Sequence, residues 1–314
     1  MTNKRYKIKI LLIIVATTLI AMNTYTAAVA YPETHTLTPG INTQGDILAK
    51  DFSAYYIASW RLWNNPAHIY TFGAQDGTEP LTPPYPQAYK YLPNFLLITS
   101  PFLALDYQQA LWAFDIVQFM LLPLMAYLIY RLLDGQHWAV TLAVMVIALL
   151  LPFPTTQGGF SLSYYWQWGE GQAKVFLTFL LLLSFYFGRK NKPILSGAVF
   201  AFGFFDPRFG LLAIPLFVMY NRINLKTALT SAMVALALSN VMLLYPRMGS
   251  GFVGMVFGSG ITTPLYYYAL IPFLTLMALI AVNFKELVAA FDYKGVFSDY
   301  TGKKGETESN KLAD

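Results

Sequence analysis

The chain lacks cysteine, has only three histidines among its 314 residues, and carries little charge. Without cysteine it cannot form disulfides, use a thiolate nucleophile or build a cysteine-based metal site. His35, His68 and His137 are scattered without metal-ligand spacing, so we expect no metal site. Charged residues make up 12% of the chain, against about 25% in a soluble domain. We therefore expect most of the surface to face something other than water.

Apolar residues make up 56% of the chain and form several runs of near-membrane length, separated by short charged patches. A helix needs about 20 apolar residues to cross a hydrocarbon core of about 30 Å. The net charge of +5 comes from basic clusters beside these runs, the pattern that sets orientation in a membrane. No polar segment combines a basic stripe with interleaved aromatics, so we expect no nucleic-acid partner. The sequence predicts an all-α integral membrane protein surrounded by membrane lipids.

The first apolar run sets the predicted orientation. A basic cluster between residues 4 and 9 precedes the run Ile10–Ile20, and positive charge stays in the cytoplasm. We expect residues 9–30 to cross the cell membrane with the N-terminus inside. Ala28–Ala30 also fits a signal-peptide cleavage site, so removal of residues 1–30 is an alternative. Both readings place the following residues outside.

A large outer loop follows at residues 31–108. It contains an aromatic amphipathic stretch, Asp51–Trp63, and a second apolar piece, Leu92–Leu105. Pro93 and Pro101 interrupt the second piece, so we expect a helix that lies at the outer surface or dips into the membrane. Single spans are predicted at residues 109–131, 138–153, 173–188, 227–245 and 265–283, with further outer loops at 154–172 and 246–264.

The segment Pro193–Tyr220 is predicted to form a short hairpin. It lies between two basic patches, Arg189–Lys192 and Arg222–Lys226, which we expect in the cytoplasm. Each arm would have about 13 residues, or about 20 Å of helix. The turn, Asp206–Gly210, would then lie at membrane depth, where irregular backbone needs protein or water around it. One continuous span is the alternative, and it would reverse the orientation of the rest.

These assignments describe a polytopic helical bundle of about eight spans, including the short hairpin, with amphipathic helices in the large outer loop. The bundle takes residues 1–284, and residues 285–314 form a charged cytoplasmic tail. The sequence contains no recognisable internal repeat, coiled coil or soluble domain.

Most of the notable acids and bases fall on the predicted outer side, and an ionisable group at membrane depth is a functional candidate. Each also has a structural explanation. Asp51 precedes a helical pattern and could be its N-cap. Asp206 and Arg208 could pair with each other, or with Lys174 and Glu170, to hold the bundle together.

Several short motifs occur in order between residues 45 and 225. The run Asp51–Ala58 is followed by Asn65–Tyr70, and then by Tyr89–Pro93. Gly171–Gln172 and Ser196–Pro207 come later. This series resembles the polyprenyl-phosphate-mannose-dependent mannosyltransferases, membrane enzymes related to those of phosphatidylinositol mannoside assembly. That family belongs to the C-type glycosyltransferase superfamily. The resemblance implies that residues 1–284 are a transmembrane glycosyltransferase-like domain.

The sequence departs from the family pattern in two motifs. Lys174 stands where the family has asparagine after Gly-Gln-x, and Asp206 stands where it has lysine before proline. Arg208, two places later, keeps basic character near the predicted turn. Family members also usually carry more spans after the point where this sequence enters its tail. A divergent substrate and a non-catalytic relative both stay open.

The resemblance implies that a sugar is carried on a polyprenyl-phosphate donor and transferred on the outer face to a lipid or glycan acceptor. In this family the sugar is mannose. Asp51 matches the aspartate that acts as general base on the acceptor hydroxyl. The leaving lipid phosphate needs cations nearby, and no metal or other cofactor is implied. The donor-phosphate candidates are Arg208, Lys174, Lys90 and Arg247. The substrate-lining candidates are Tyr55, Tyr56, Glu170, Gln172 and Asp206.

Some of these candidates have a second interpretation at the membrane boundary. Lys90 and Arg247 could extend to lipid headgroups. Tyr55 and Tyr56 could stack on a sugar or belong to an interfacial aromatic belt. Two other functions also stay open. A lipid or solute transporter would have broken helices and a buried charged turn, but usually two similar halves. A non-catalytic membrane scaffold would explain the altered motifs.

Overall fold

A computed structural model of the protein describes residues 50–71, 78–81, 89–150, 152–154, 160–162, 171–245, 247–259 and 270–291. The predicted first span, the cleavage-site alternative and the charged tail beyond residue 291 lie outside the described residues. Elements are numbered along the described part. It is almost entirely helical, and one short antiparallel pair, β1 (Pro152–Pro154) and β2 (Phe160–Leu162), interrupts the helices.

The region predicted to form the large outer loop, called the outer-loop region below, contains two helices among its described residues. The first, α1, spans Lys50–Asn64, and a 3-10 turn at Pro66–His68 follows it. The second, α2, is short, Asn94–Thr99, and continues into a 3-10 segment at Ser100–Ala104. Pro93 and Pro101 each stand at the start of one of these segments, where proline is tolerated because the first turn has no N–H partners to lose.

The bundle begins with α3, Tyr107–Leu132, which Asp106 caps by accepting the amide of Gln109 at 2.9 Å. The next helices are α4 (Trp138–Leu150), α5 (Lys174–Arg189), α6 (Pro193–Gly203), α7 (Pro207–Asn221) and α8 (Leu225–Asn240). The last described helices are α9 (Met248–Ser259), α10 (Leu270–Val282) and α11 (Phe284–Phe291). Within the described residues, the predicted spans thus coincide with helices, with ends that differ by a few residues.

Length and composition qualify two described helical runs to cross a membrane, Tyr107–Leu132 and Pro207–Leu244. The pair α10 and α11, bent by 76° at its junction, would make a third if counted as one span. The other helices are shorter than a full span, since α5 has 16 residues and α4 has 13. The described part is therefore helical apart from the short strand pair, with two or three helical segments long and apolar enough to cross a membrane, and the count of about eight spans stays a prediction.

The predicted hairpin is present as α6 and α7, because one helix ends at Gly203 and the next begins at Pro207. The rings of Phe200 and Phe217 lie 4.3 Å apart, and Asn221 donates to the Ser196 hydroxyl at 2.9 Å. These pairings run in opposite directions along the two helices, so α6 and α7 are antiparallel. The alternative of one continuous span was wrong.

The predicted turn, Asp206–Gly210, was wrong in its bounds, because the turn occupies residues 204–206. Proline is favoured in the first turn of a helix, and Asp206 accepts the amide of Arg208 as the N-cap of α7. Residues 207–210 therefore begin the helix instead of forming the loop.

The run that follows α7 folds back a second time. Residues 222–224 form a 3-10 turn, and α8 then packs along α6. Gly197 faces the carbonyl of Ala228 so closely that a Cβ there would collide with it. Ser231 donates to the carbonyl of Ile194 at 2.7 Å. Both halves of the run Pro207–Leu244 thus lie beside α6, which a straight helix could not achieve.

An aromatic core joins the outer-loop helices to the bundle. Phe95 of α2 stacks on Phe205 in the α6–α7 turn, with 4.1 Å between ring centroids, and meets Tyr55 of α1 edge-on at 5.2 Å. Leu92 donates its amide to the carbonyl of Phe205 at 2.9 Å, and Asn94 donates to the carbonyl of Ala201 at 2.7 Å. The outer-loop region is therefore fixed on the hairpin turn.

Candidate active site

A buried three-membered ion cluster lies where the start of α5 meets the α6–α7 turn. Lys174 is the first residue of α5, preceded by a left-handed turn at Gly171 with φ of 64°. Its Nζ lies 3.1 Å from Oδ2 of Asp206. Arg208 donates two hydrogen bonds to the same carboxylate, from Nε to Oδ1 at 2.9 Å and from Nη2 to Oδ2 at 2.8 Å. One carboxylate thus serves two cations.

Exposure differs sharply within this cluster. The side chains of Lys174 and Asp206 are 4% and 1% exposed, whereas that of Arg208 is 39% exposed. A buried charge is tolerated only when it is paired and hydrogen-bonded. Asp206 therefore neutralises Lys174 in the interior, and Arg208 is the member that extends toward the surface.

Asp51, in the first turn of α1, lies beside this cluster and is partly buried. Gln172 hydrogen-bonds its side chain, and Lys174, Lys90 and Arg208 lie close enough to influence its charge. Burial raises the pKa of Asp51, and the three cations and the Gln172 hydrogen bond oppose this effect without cancelling it. The result is a carboxyl group more basic than usual, held among cations at the end of the bundle.

Tyrosines close one side of the cluster. The hydroxyl of Tyr91 lies 3.4 Å from Nζ of Lys174, and the ring centroid is 5.1 Å from the same nitrogen. The rings of Tyr55 and Tyr91 are 5.7 Å apart, and the side chain of Tyr55 is buried. Burial raises the pKa of Tyr55 well above its usual value, so its phenol stays protonated. Tyr91 had no place among the candidates, although its motif, Tyr89–Pro93, was recognised.

The structure separates the remaining candidates. Tyr56 is turned away from this cluster, since its hydroxyl donates to the carbonyl of Leu105 at 2.7 Å and its ring packs on Tyr107. Arg247 is exposed, with a φ of 73°, and among the described residues it forms no hydrogen bond or ion pair with the cluster. Glu170 lies outside the described residues. Within the described chain, no group of three His, Cys, Asp or Glu side chains could hold a metal ion.

The comparison with protein families decides the class of the molecule. Residues 89–269, more than half of the chain, match the model of glycosyltransferase family 87. The chain belongs to glycosyltransferase family 87. Comparison with curated proteins gives no match, and comparison with solved structures gives none either.

Family 87 membership makes the protein a glycosyltransferase, which confirms the predicted enzyme class. The apolar helices and the family together agree with the predicted membrane location. The matched segment contains Lys90, Lys174, Asp206 and Arg208, so the ion cluster lies inside it. Asp51 precedes the match, and its link to the cluster comes from the three-dimensional structure.

Proposed function

We propose that this family 87 glycosyltransferase moves a sugar from a polyprenyl-phosphate donor to a lipid or glycan hydroxyl on the outer face. The proposed sugar is mannose, as in the mannosyltransferases that the sequence resembles. The observation that carries the proposal is the position of Asp51, a carboxyl group of raised pKa beside the cations of the Lys174–Asp206–Arg208 cluster. A base and a set of cations are the two groups that this reaction requires at one place.

Asp51 acts as the general base in this proposal. Its carboxylate takes the proton of the acceptor hydroxyl while the acceptor oxygen attacks the anomeric carbon of the sugar. The bond between that carbon and the phosphate oxygen breaks, and the lipid phosphate leaves with the electron pair. The raised pKa of Asp51 favours proton uptake, and its partial exposure gives the acceptor access.

Arg208 is the cation best placed to bind the donor phosphate. Its Nε and Nη2 are engaged by Asp206, whereas Nη1 has no hydrogen bond to the described residues. The side chain is also the most exposed of the three. Guanidinium suits phosphate oxygens, and a carboxylate that holds its other nitrogens fixes its orientation.

In this proposal Lys174 and Asp206 support the site without contacting the substrate, whereas the sequence predicted Lys174 at the donor phosphate and Asp206 in the substrate lining. Lys174 is too buried to contact a phosphate directly, so we propose that its positive charge acts electrostatically on Asp51 and on the leaving group. Asp206, predicted to line the substrate, has both oxygens occupied by cations and holds Arg208 in place. Lys90, partly buried and coupled to Asp51, remains a second candidate for the phosphate.

The proposal is tested by sugar transfer from polyprenyl-phosphate mannose in proteoliposomes that contain the full-length protein. Asp51→Asn removes the base and is expected to lower the rate at least about 100-fold, the lower range for general base catalysis. Asp106→Asn is the matched control. It makes the same chemical change in an N-cap position that asparagine fills equally well, away from the cluster.

Loss of transfer in Asp51→Asn alone, with equal protein in the membrane, would support the assignment. Equal rates in the wild type and Asp51→Asn would refute the role of Asp51. A wild-type enzyme that transfers from another polyprenyl-phosphate sugar and not from the mannose donor would correct the sugar and leave the chemistry intact.

A further inference from the structure

A cavity of about 780 Å³ lies at the end of the bundle opposite Asp51. Here α3 ends at Leu132, α5 ends at Arg189 and α7 ends at Asn221, and we call this the basic end. At 1.5 Å per residue, α5 separates Lys174 from Arg189 by about 22 Å. The cavity is therefore distinct from the candidate active site.

One cation of the cavity has a structural role. Helix C-termini carry partial negative charge, and cations near them are stabilising. Arg189 does this directly, because it donates to the carbonyl of Leu132 and pairs with Asp134. A basic residue at a helix end needs no ligand to explain it when it caps another helix in this way.

Two other cations of the cavity are not explained in this way. Arg222 and Lys285 both line it and are both exposed. Neither forms a salt bridge within the part of the chain that the structure describes. They come from different segments, the 3-10 turn after α7 and the first turn of α11, so the fold brings two available positive charges to one opening.

An exposed apolar stripe begins at Phe284, which lines the cavity next to Lys285. The helix α11 turns by 76° from α10, and its Phe284, Val288 and Phe291 side chains are 61%, 57% and 53% exposed. Their spacing of four and three residues puts them on one face of the helix, while Leu287 is buried on the other. A short helix with an exposed apolar stripe, bent from an apolar span, is typical of one that lies in the membrane interface.

We propose that this cavity binds a phospholipid, with Arg222 and Lys285 on the headgroup phosphate and the α11 stripe, Phe284, Val288 and Phe291, against the acyl chains. A phospholipid joins a phosphate and apolar chains in one molecule, and the structure places cations and an apolar stripe side by side. Glu286 also lines the cavity, which disfavours headgroups of more than one negative charge. The ligand class is a phospholipid with a single phosphodiester charge.

The test titrates the purified full-length protein, in a non-ionic detergent, with a fluorescent phosphatidylglycerol. Each surface cation contributes about a fivefold gain in affinity for an anionic lipid, so Arg222→Ala with Lys285→Ala is expected to bind about 30-fold more weakly. Lys190→Ala with Lys192→Ala is the control. It removes the same charge from exposed positions near the same end of the bundle, outside the cavity, and should bind as the wild type does.

An equal loss in both double variants would show a general surface attraction and overturn the proposal. Competition by glycerophosphoglycerol, the deacylated phosphodiester, as effective as that by the lipid would assign the cavity to a soluble phosphate ester and overturn the lipid assignment. Thermal unfolding without lipid checks that the variants are folded. If the double variant is not, Arg222→Gln alone is measured, with about a fivefold loss expected.

Discussion

Replacing Asp206 with asparagine removes the one carboxylate that two cations share. Asp206 is 1% exposed and Lys174 is 4% exposed, so Lys174 would be left charged and buried beside Arg208. Breaking a buried ion pair from one side costs about 3–5 kcal/mol. Because Arg208 is 39% exposed and can turn toward solvent, we expect the lower end of that range, about 3 kcal/mol.

The assay is thermal unfolding of the full-length protein in detergent. At about 2 °C for each kcal/mol in a protein of this size, Asp206→Asn should lower Tm by about 6 °C. The matched control is Asp134→Asn, which makes the same change in a pair with Arg189. The side chain of Asp134 is 70% exposed, so that pair contributes about 1 kcal/mol at most.

A double variant separates the burial of charge from general damage to the turn. Lys174→Met with Asp206→Asn removes the buried lysine charge together with its partner, and it should recover most of the lost stability. The argument would be refuted if Asp206→Asn lowered Tm no more than Asp134→Asn does. It would also be refuted if the losses from Lys174→Met and Asp206→Asn simply added.

Two further predictions concern the pH dependence and the packing of the hairpin. Burial raises the pKa of Asp51, and protonation removes the base, so the transfer rate should fall at a higher pH than an ordinary carboxyl group would give. A profile of kcat/KM against pH checks this, and an acid limb at an ordinary carboxyl pKa would contradict it. Gly197→Leu should strongly lower the yield of folded protein, because any side chain there meets the backbone of α8. Gly254→Leu should be tolerated, because no atom of the described residues lies within 4 Å of its added Cβ, and equal yields of the two variants by size-exclusion chromatography would argue against the close α6–α8 contact.

Apolar runs and turn residues were enough to predict most of the helical architecture. Each predicted bundle run within the described residues is a helix, since helix formation at this scale depends on local composition and length. The hairpin was predicted from basic patches and from Pro207, but its turn was placed too late. Asp206 caps the helix that Pro207 begins, and the two residues together mark a start more strongly than a turn.

The candidate site could be predicted only in part. Pairing of Asp206 with Arg208 was foreseeable, because they lie two positions apart in sequence. The contact of Lys174 with Tyr91 spans 83 residues and depends on how α5 packs against the outer-loop region. No sequence pattern distinguished Tyr55, at the cluster, from Tyr56, which bonds elsewhere, because neighbouring residues on a helix face different directions.

The shared carboxylate also constrains the order in which the segments of the protein can reach their final positions. Lys174 precedes Asp206 by 32 residues, so the ribosome delivers the lysine before its counterion exists. A charged lysine cannot settle into an apolar interior alone, and until then it must keep its ammonium group in water or among headgroups. Insertion of the α6–α7 hairpin is therefore the step of biogenesis that lets the start of α5 take its final place.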